Sequence, residues 1–352
     1  MDALRAKIGF GQTWVEIGGK TYGAKPDERG PIGGGSGYQD VVTKGNYRVA
    51  TLDQLLGALK KAKKGEVVFI AGGAEIDCTE RVHIEKLVIE IPAGVTLASD
   101  RGHGASPGAL LLSDTFATSP LLRPLGTGVR VTGLRLRGPD SKRRVEHHRR
   151  SFDEGRGHKY FYRFPYSDGI KAEHANLEVD NCELSAWSHA AVFLVAAGGH
   201  RIHHNFIHHC QYYGLGYGVC HDKAFSVIEF NVFNWNCHSI ALTGVADSGY
   251  EARHNLQLET AMPADGFHFD MHSGADRGDG TDVGGKYIRI HHNTFRGPAL
   301  PVWLRGVPTE RAEIHGNWFS SPVRDAVRTG PKSRVFDNAY GQMKAKLLDP
   351  AP

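Results

Sequence analysis

The 352-residue sequence predicts an all-β chain folded as a single-domain parallel β-helix, with an N-terminal α-helical cap and inserted loops. Three observations carry this. Short strand-like segments ending in asparagine recur at residues 177–181, 201–205, 227–231, 251–255, 289–293, 312–317 and 334–338, with Asn-to-Asn spacings of 24, 26, 24, 38, 24 and 21. Self-similarity at such a period marks a solenoid. A coil of that length is too short for a strand, a full helix and their connections, but it fits three short strands and three turns. Asparagine tolerates a left-handed corner, and its amide can bond to the asparagine one coil away. Gly133 sits two periods before Asn181.

In chain order, residues 1–45 are glycine-rich and read as an irregular leader. Residues 1–30 hold no basic start followed by an apolar core, so no secretory signal is expected there. Thr51-Leu-Asp-Gln54 has the form of a capping box. Leu52, Leu55, Leu56, Leu59 and Ala62 make one helical stripe, and Gly65 would end the helix. Such a helix suits a cap on an open sheet end. Strands are expected at 66–70, 82–91 and 95–98. The β-helix domain spans 46–340, and 341–352 form a tail. Two segments break the period, at 140–167 and 260–285. The first holds eight basic residues against four acidic ones, interleaved with Tyr160, Phe161, Tyr162, Phe164 and Tyr166. Insertions in a solenoid tend to fall on the binding face.

The second insertion contains Asp265-Gly-Phe-His-Phe-Asp-Met-His272. Read as a strand, it turns His268, Asp270 and His272 to one side and Phe267, Phe269 and Met271 to the other. Counting from each asparagine places strands at 215–219, 241–245, 268–272 and 303–307. Aligned, they put Tyr217, Thr243, Asp270 and Arg305 on one outer wall, with Lys171 further along it. A wall of His, Asp, Arg, Tyr and Lys beside a basic, aromatic insertion suits an elongated anionic polymer.

The totals set limits. A net charge of +4 does not imply nucleic-acid binding, and the apolar run at 190–197 is far short of the roughly 20 residues of a membrane span. Neither nucleic acid nor membrane is therefore an expected partner. Five cysteines without a CxxC motif read as buried free thiols, with a Cys210–Cys237 bridge left open. Twenty histidines make the charge sensitive to mild acid. The paired histidines 203/204 and 291/292 read as stacks outside the coil.

The segments 47–56, 65–70 and 93–97, with the Asn-cornered coils, resemble the pectate-lyase-like superfamily of right-handed parallel β-helix proteins over most of residues 45–340. That superfamily includes polysaccharide lyases, glycoside hydrolases, uronan epimerases and phage tailspikes. Phe269-Asp270-Met271-His272 also resembles the Phe-Asp-Pro-His motif of mannuronan epimerases, with Met271 where the proline stands. The resemblance implies Asp270 and His272 as a catalytic pair, and an extracellular or periplasmic location.

The expected function is a carbohydrate-active enzyme, a polysaccharide lyase. It would abstract the proton beside a uronate carboxylate of an acidic polysaccharide and complete a β-elimination. His272 or His268 would be the base, oriented by Asp270, with Lys171 an alternative. Tyr217 would protonate the leaving oxygen, and Arg305 and Arg277 would neutralise the carboxylate. Trp303, Tyr250, Arg149, Arg150 and Tyr162 are further candidates for substrate contact. The same parts would serve a uronan C5-epimerase. A glycoside hydrolase would use two carboxylates among Asp265, Asp270, Asp276 and Asp279. A glycan-binding β-helix without catalysis is the non-enzymatic alternative. No cofactor is required by this reading; zinc at the His-x-His pattern and calcium at 273–280 stay open. The polysaccharide is the expected partner of a monomeric chain.

Overall fold

The computed structural model describes residues 11–258, 267–297, 300–320, 326–341 and 346–347. Among them, three long parallel sheets hold eleven, eleven and nine strands, the Lys346–Leu347 strand at one end being antiparallel. One coil shows the path. Ala224–Glu229 lies in the first sheet, Val232–Asn234 in the second and His238–Leu242 in the third, and Gly249–Arg253 then re-enters the first. The chain is a parallel β-helix. Inward residues stack in columns: Val179, Ile202, Ile228, Ala252, Ile290 and Ile314 are in register and buried. Each buried aliphatic side chain of this kind stabilises by about 1.5–3 kcal/mol.

The corner between the first and second sheets is built from amides. Asn205 donates from its backbone N–H and from Nδ2 to Oδ1 of Asn231, both at 3.0 Å. The same pair of bonds links Asn231 to Asn255, Asn255 to Asn293, Asn293 to Asn317 and Asn317 to Asn338. Each Nδ2 also donates to a carbonyl of the preceding coil, as from Asn231 to Ile202 O at 2.8 Å. Asn181 departs from this pattern. It is in register with His204, one residue earlier, and Cys182 N donates to Asn205 Oδ1 at 2.9 Å. The left-handed corner conformation falls on the residue before each stacked asparagine, namely His204, Phe230, His254, His292, Gly316 and Asp337, and on Asn181 and Gly133 in the earlier coils. The rings of His204, Phe230, His254 and His292 stack there at 5.0–5.4 Å, and His204 is fully buried.

What buries that corner is the leader. Residues 14–23 form a hairpin, and the following chain runs back along the corner. Tyr22 Oη donates to Asp337 at 2.7 Å, Ala24 N to Thr294 Oγ1 at 2.9 Å, Gly33 N to Phe230 O at 2.7 Å and Tyr38 Oη to Asp180 at 3.0 Å. The cap helix is Leu52–Leu59; Thr51 accepts from Gln54 N at 3.3 Å, and Gln54 Oε1 from Ala50 N at 2.9 Å. Residues 82–85, expected in a strand, belong to the helix Thr79–Glu85, and only Ile89–Ile91 pairs into the third sheet. Of its apolar pair, Val82 is buried and Ile84 exposed. The cysteines are buried free thiols, Cys210 and Cys237 included.

The first insertion is a pair of short helices, Val145–Phe152 and His158–Phe161, laid on the outside of the third sheet. Phe152, Phe161 and Phe164 pack there with Tyr212, Leu215, Tyr217 and Cys220. Tyr217 faces this outer cluster, whereas Val219, two residues on, lies in the interior. Gly218 also faces inward, towards Phe233 and Ile207. Strict alternation breaks at that point, so the expected register slips. Asp270 pairs with Ala241 and Trp303, not with Thr243 and Arg305, and Tyr217 pairs with His238.

Replacing Asn255 with Ala would leave the backbone N–H of Asn231 without its acceptor, remove one of the two bonds from Asn231 Nδ2 and take a donor from Ile228 O. Denaturant unfolding of Asn255→Ala should show a loss of about 2–4 kcal/mol; an unchanged midpoint would contradict the role given to the corner. Burial pushes His221 and His254 down to about 4 and His268 down to about 3. Free histidine titrates near 6.5, so below that pH the unfolded chain binds protons that the native state refuses. This contribution is complete above about pH 6.5 and is lost as pH falls towards 4. Thermal melting midpoints should therefore drop between neutral pH and about pH 5, and equal midpoints would refute it.

Candidate active site

The outer face of the third sheet is the floor of a cleft of about 700 Å³. His148, Phe161 and Tyr162 of the helical insertion close one side, and Ala275, Asp276 and Arg277 of the turn Gly274–Arg277 close the other. His189, Tyr217, Cys220, Asp222, Thr243, His272 and Arg305 rise from the strands or just past their ends.

Asp270 is fully buried beneath this floor. Arg305 grips it with both prongs, Nε at 2.8 Å from Oδ1 and Nη2 on Oδ2. His272 Nε2 stands 3.0 Å from Oδ2 and His238 Nε2 3.7 Å. Burial alone would raise the carboxyl's pKa, but the two imidazoles and the guanidinium hold it well below the carboxylate range. His238 is held above its ordinary value, because Cys237 and Asp270 together outweigh its burial. Arg305 also reaches Asp276 at 3.3 Å, so the expected clamp already carries two carboxylates. Three basic groups thus share two acids at one spot.

Tyr217 is the centre of a ring cluster. His189, His238 and His272 lie 5.5, 5.7 and 6.1 Å from it, centroid to centroid. Burial pushes its phenol well above the usual range, so it keeps its proton.

Other expected residues are dispersed. His268 does not stand on the outer row. It is buried at a corner, where a side chain on Gly297 would meet its Nε2, and neither ring nitrogen has a partner among the described residues. Tyr250 faces the interior, its hydroxyl 3.2 Å from Met271 Sδ. Lys171 shares the column of Phe193, Cys220, Ala241 and Asp270, which puts it four strand spacings, about 19 Å, from Asp270. Arg149 and Arg150 pair with Glu146 on their own helix and do not line the cleft. Trp303 follows Asp270 in the same column, with Arg328 over its ring at 5.0 Å. Tyr162 and Arg277 do line the cleft, Arg277 bonded to Asp279. Asp265 lies outside the described residues. In the turn after His272, Asp276 completes a capping box with Ser273 and Asp279 accepts from Thr281. Among the described residues, no three His, Cys, Asp or Glu side chains converge to hold a metal ion.

The sequence reading missed His189 and His238. His189 Nδ1 lies 2.6 Å from Asp168 Oδ1, and Asp168 Oδ2 accepts from Ser119 at 2.6 Å. The 21-residue separation of Asp168 and His189, close to one coil, was the available signal.

No family model matches this sequence, and no curated protein matches it. Among solved structures, the chain is similar to an alginate lyase from Paenibacillus sp. str. FPU-7, with 13% sequence identity and a TM-score of 0.43 over 84% of this chain and 98% of that one.

Proposed function

We propose that the protein is a polysaccharide lyase that cleaves an acidic, uronate-containing polysaccharide by proton abstraction and β-elimination. The observation that carries this reading is Tyr217, buried and protonated, set among three imidazoles on the floor of a cleft edged by Arg277 and Arg305. The proton beside a uronate carboxylate is weakly acidic. Its removal requires a nearby base and positive charge to hold the developing enolate. The basic groups around Asp270 supply the charge. The C–H bond breaks, its electron pair forms the new C=C bond, and the glycosidic C–O bond opens. Tyr217 gives its proton to the leaving oxygen. With a proton returned to carbon instead, the same parts would epimerise. Hydrolysis would need two available carboxylates. Asp270 is held by Arg305, Asp276 by its cap and Asp222 by Thr243, which favours elimination. An enzyme acting on a polymer too large to enter a cell would work in the extracellular space or the periplasm.

Incubation with polymannuronate, polyguluronate, polygalacturonate, hyaluronan and a neutral glucan separates the readings. Ultraviolet absorbance of the unsaturated sugar should rise together with reducing ends for at least one acidic polymer. Reducing ends alone would mean hydrolysis, and no signal with any acidic polymer would sink the proposal. In the active case, Tyr217→Phe should slow turnover by about 10²–10⁴-fold with native folding kept; an unchanged rate would remove Tyr217 from the chemistry.

A further inference from the structure

We infer that His189 is the general base of this cleft and that Asp168 positions it; the inference rests on the lyase reading. Three imidazoles surround Tyr217, and their surroundings differ. His238 is nearly buried, with Nδ1 bonded to Phe267 O at 2.9 Å and Nε2 towards Asp270. His272 turns a buried Nε2 to the same carboxylate, which Arg305 already holds on both oxygens. His189 has a carboxylate of its own. Asp168 is almost fully buried, and Ser119 fixes its second oxygen. Asp168 can only accept at the 2.6 Å contact, so Nδ1 carries a proton, and in the neutral ring the lone pair is then on Nε2. Nε2 has no hydrogen-bond partner among the described residues, and the side chain lines the cleft.

The ring is also locked. Phe193 meets it edge-on at 4.9 Å, Tyr217 edge-on at 5.5 Å, and Tyr166 covers it at 5.3 Å. A base whose tautomer and rotation are both set loses little freedom on reaching the transition state. In the step, His189 Nε2 takes the proton beside the carboxylate as the C=C bond forms, and Tyr217 protonates the leaving oxygen. Asp168 faces the imidazolium so produced. Return of that proton to the Tyr217 phenolate through solvent restores both groups, and no oxidant or reductant is consumed.

The test uses the full chain and whichever uronate polymer the wild type cleaves. His189→Gln and His189→Asn should each lower kcat by about 10²–10⁴-fold with KM little changed, and His272→Gln should cost less. Asp168→Asn should lower kcat at unchanged KM. Nitrogen-15 NMR should find His189 protonated on Nδ1 in the wild type and no longer so in Asp168→Asn. Wild-type kcat in both His189 variants, or an Nε2-protonated His189 in the wild type, would overturn the assignment and leave the lyase reading standing. Absence of unsaturated product from the wild type with every polymer would overturn both.

Discussion

The stack of corner amides is the constraint on which the rest depends. Each asparagine from 205 to 317 ties its backbone N–H and its side chain to the next coil. A solenoid whose coils vary in length, as these do between 21 and 38 residues, needs one edge at which they all return to register. The amides supply that edge, and the leader seals it from water along much of its length. Variation in coil length is thereby pushed to the far side, where the helical insertion and the 274–278 turn stand over the third sheet.

The site follows from that arrangement. Parallel strands about 4.8 Å apart line up side chains from five successive coils along one cleft, its two ends about 19 Å apart. No single strand carries the chemistry. Asp168, His189, Tyr217, His238 and Asp270 come from five successive strands of the third sheet or their edges. Burial then sorts them. It keeps the phenol protonated, while concentrated positive charge keeps Asp270 ionised.

The coil, its period and the cap helix were legible because each rests on local chemistry, such as an amide at a corner or a threonine before a helix. Phe269 and Met271 facing inward were legible from alternation. What escaped was non-local. Asn181 falls in the recurrence by residue type yet occupies the turn position beside it. Gly218 and Val219 both face in, and no pattern of polarity shows such a bulge. His268 continues the alternation of its strand on paper, but the strand begins only at Phe269. His189 and Asp168 carry no shared motif, since a coil separates them and only the register joins them. The helices of the insertion were hidden because they are short, eight and four residues, so a helical period barely repeats within either.

The most direct test of the account is a crystal structure of Tyr217→Phe with a uronate oligosaccharide bound. The account predicts the sugar across the third sheet, its carboxylate towards Arg305 or Arg277 and the adjacent C–H within reach of His189 Nε2. An oligosaccharide seated elsewhere on the coil, or one whose C–H points away from every imidazole of the cleft, would contradict it.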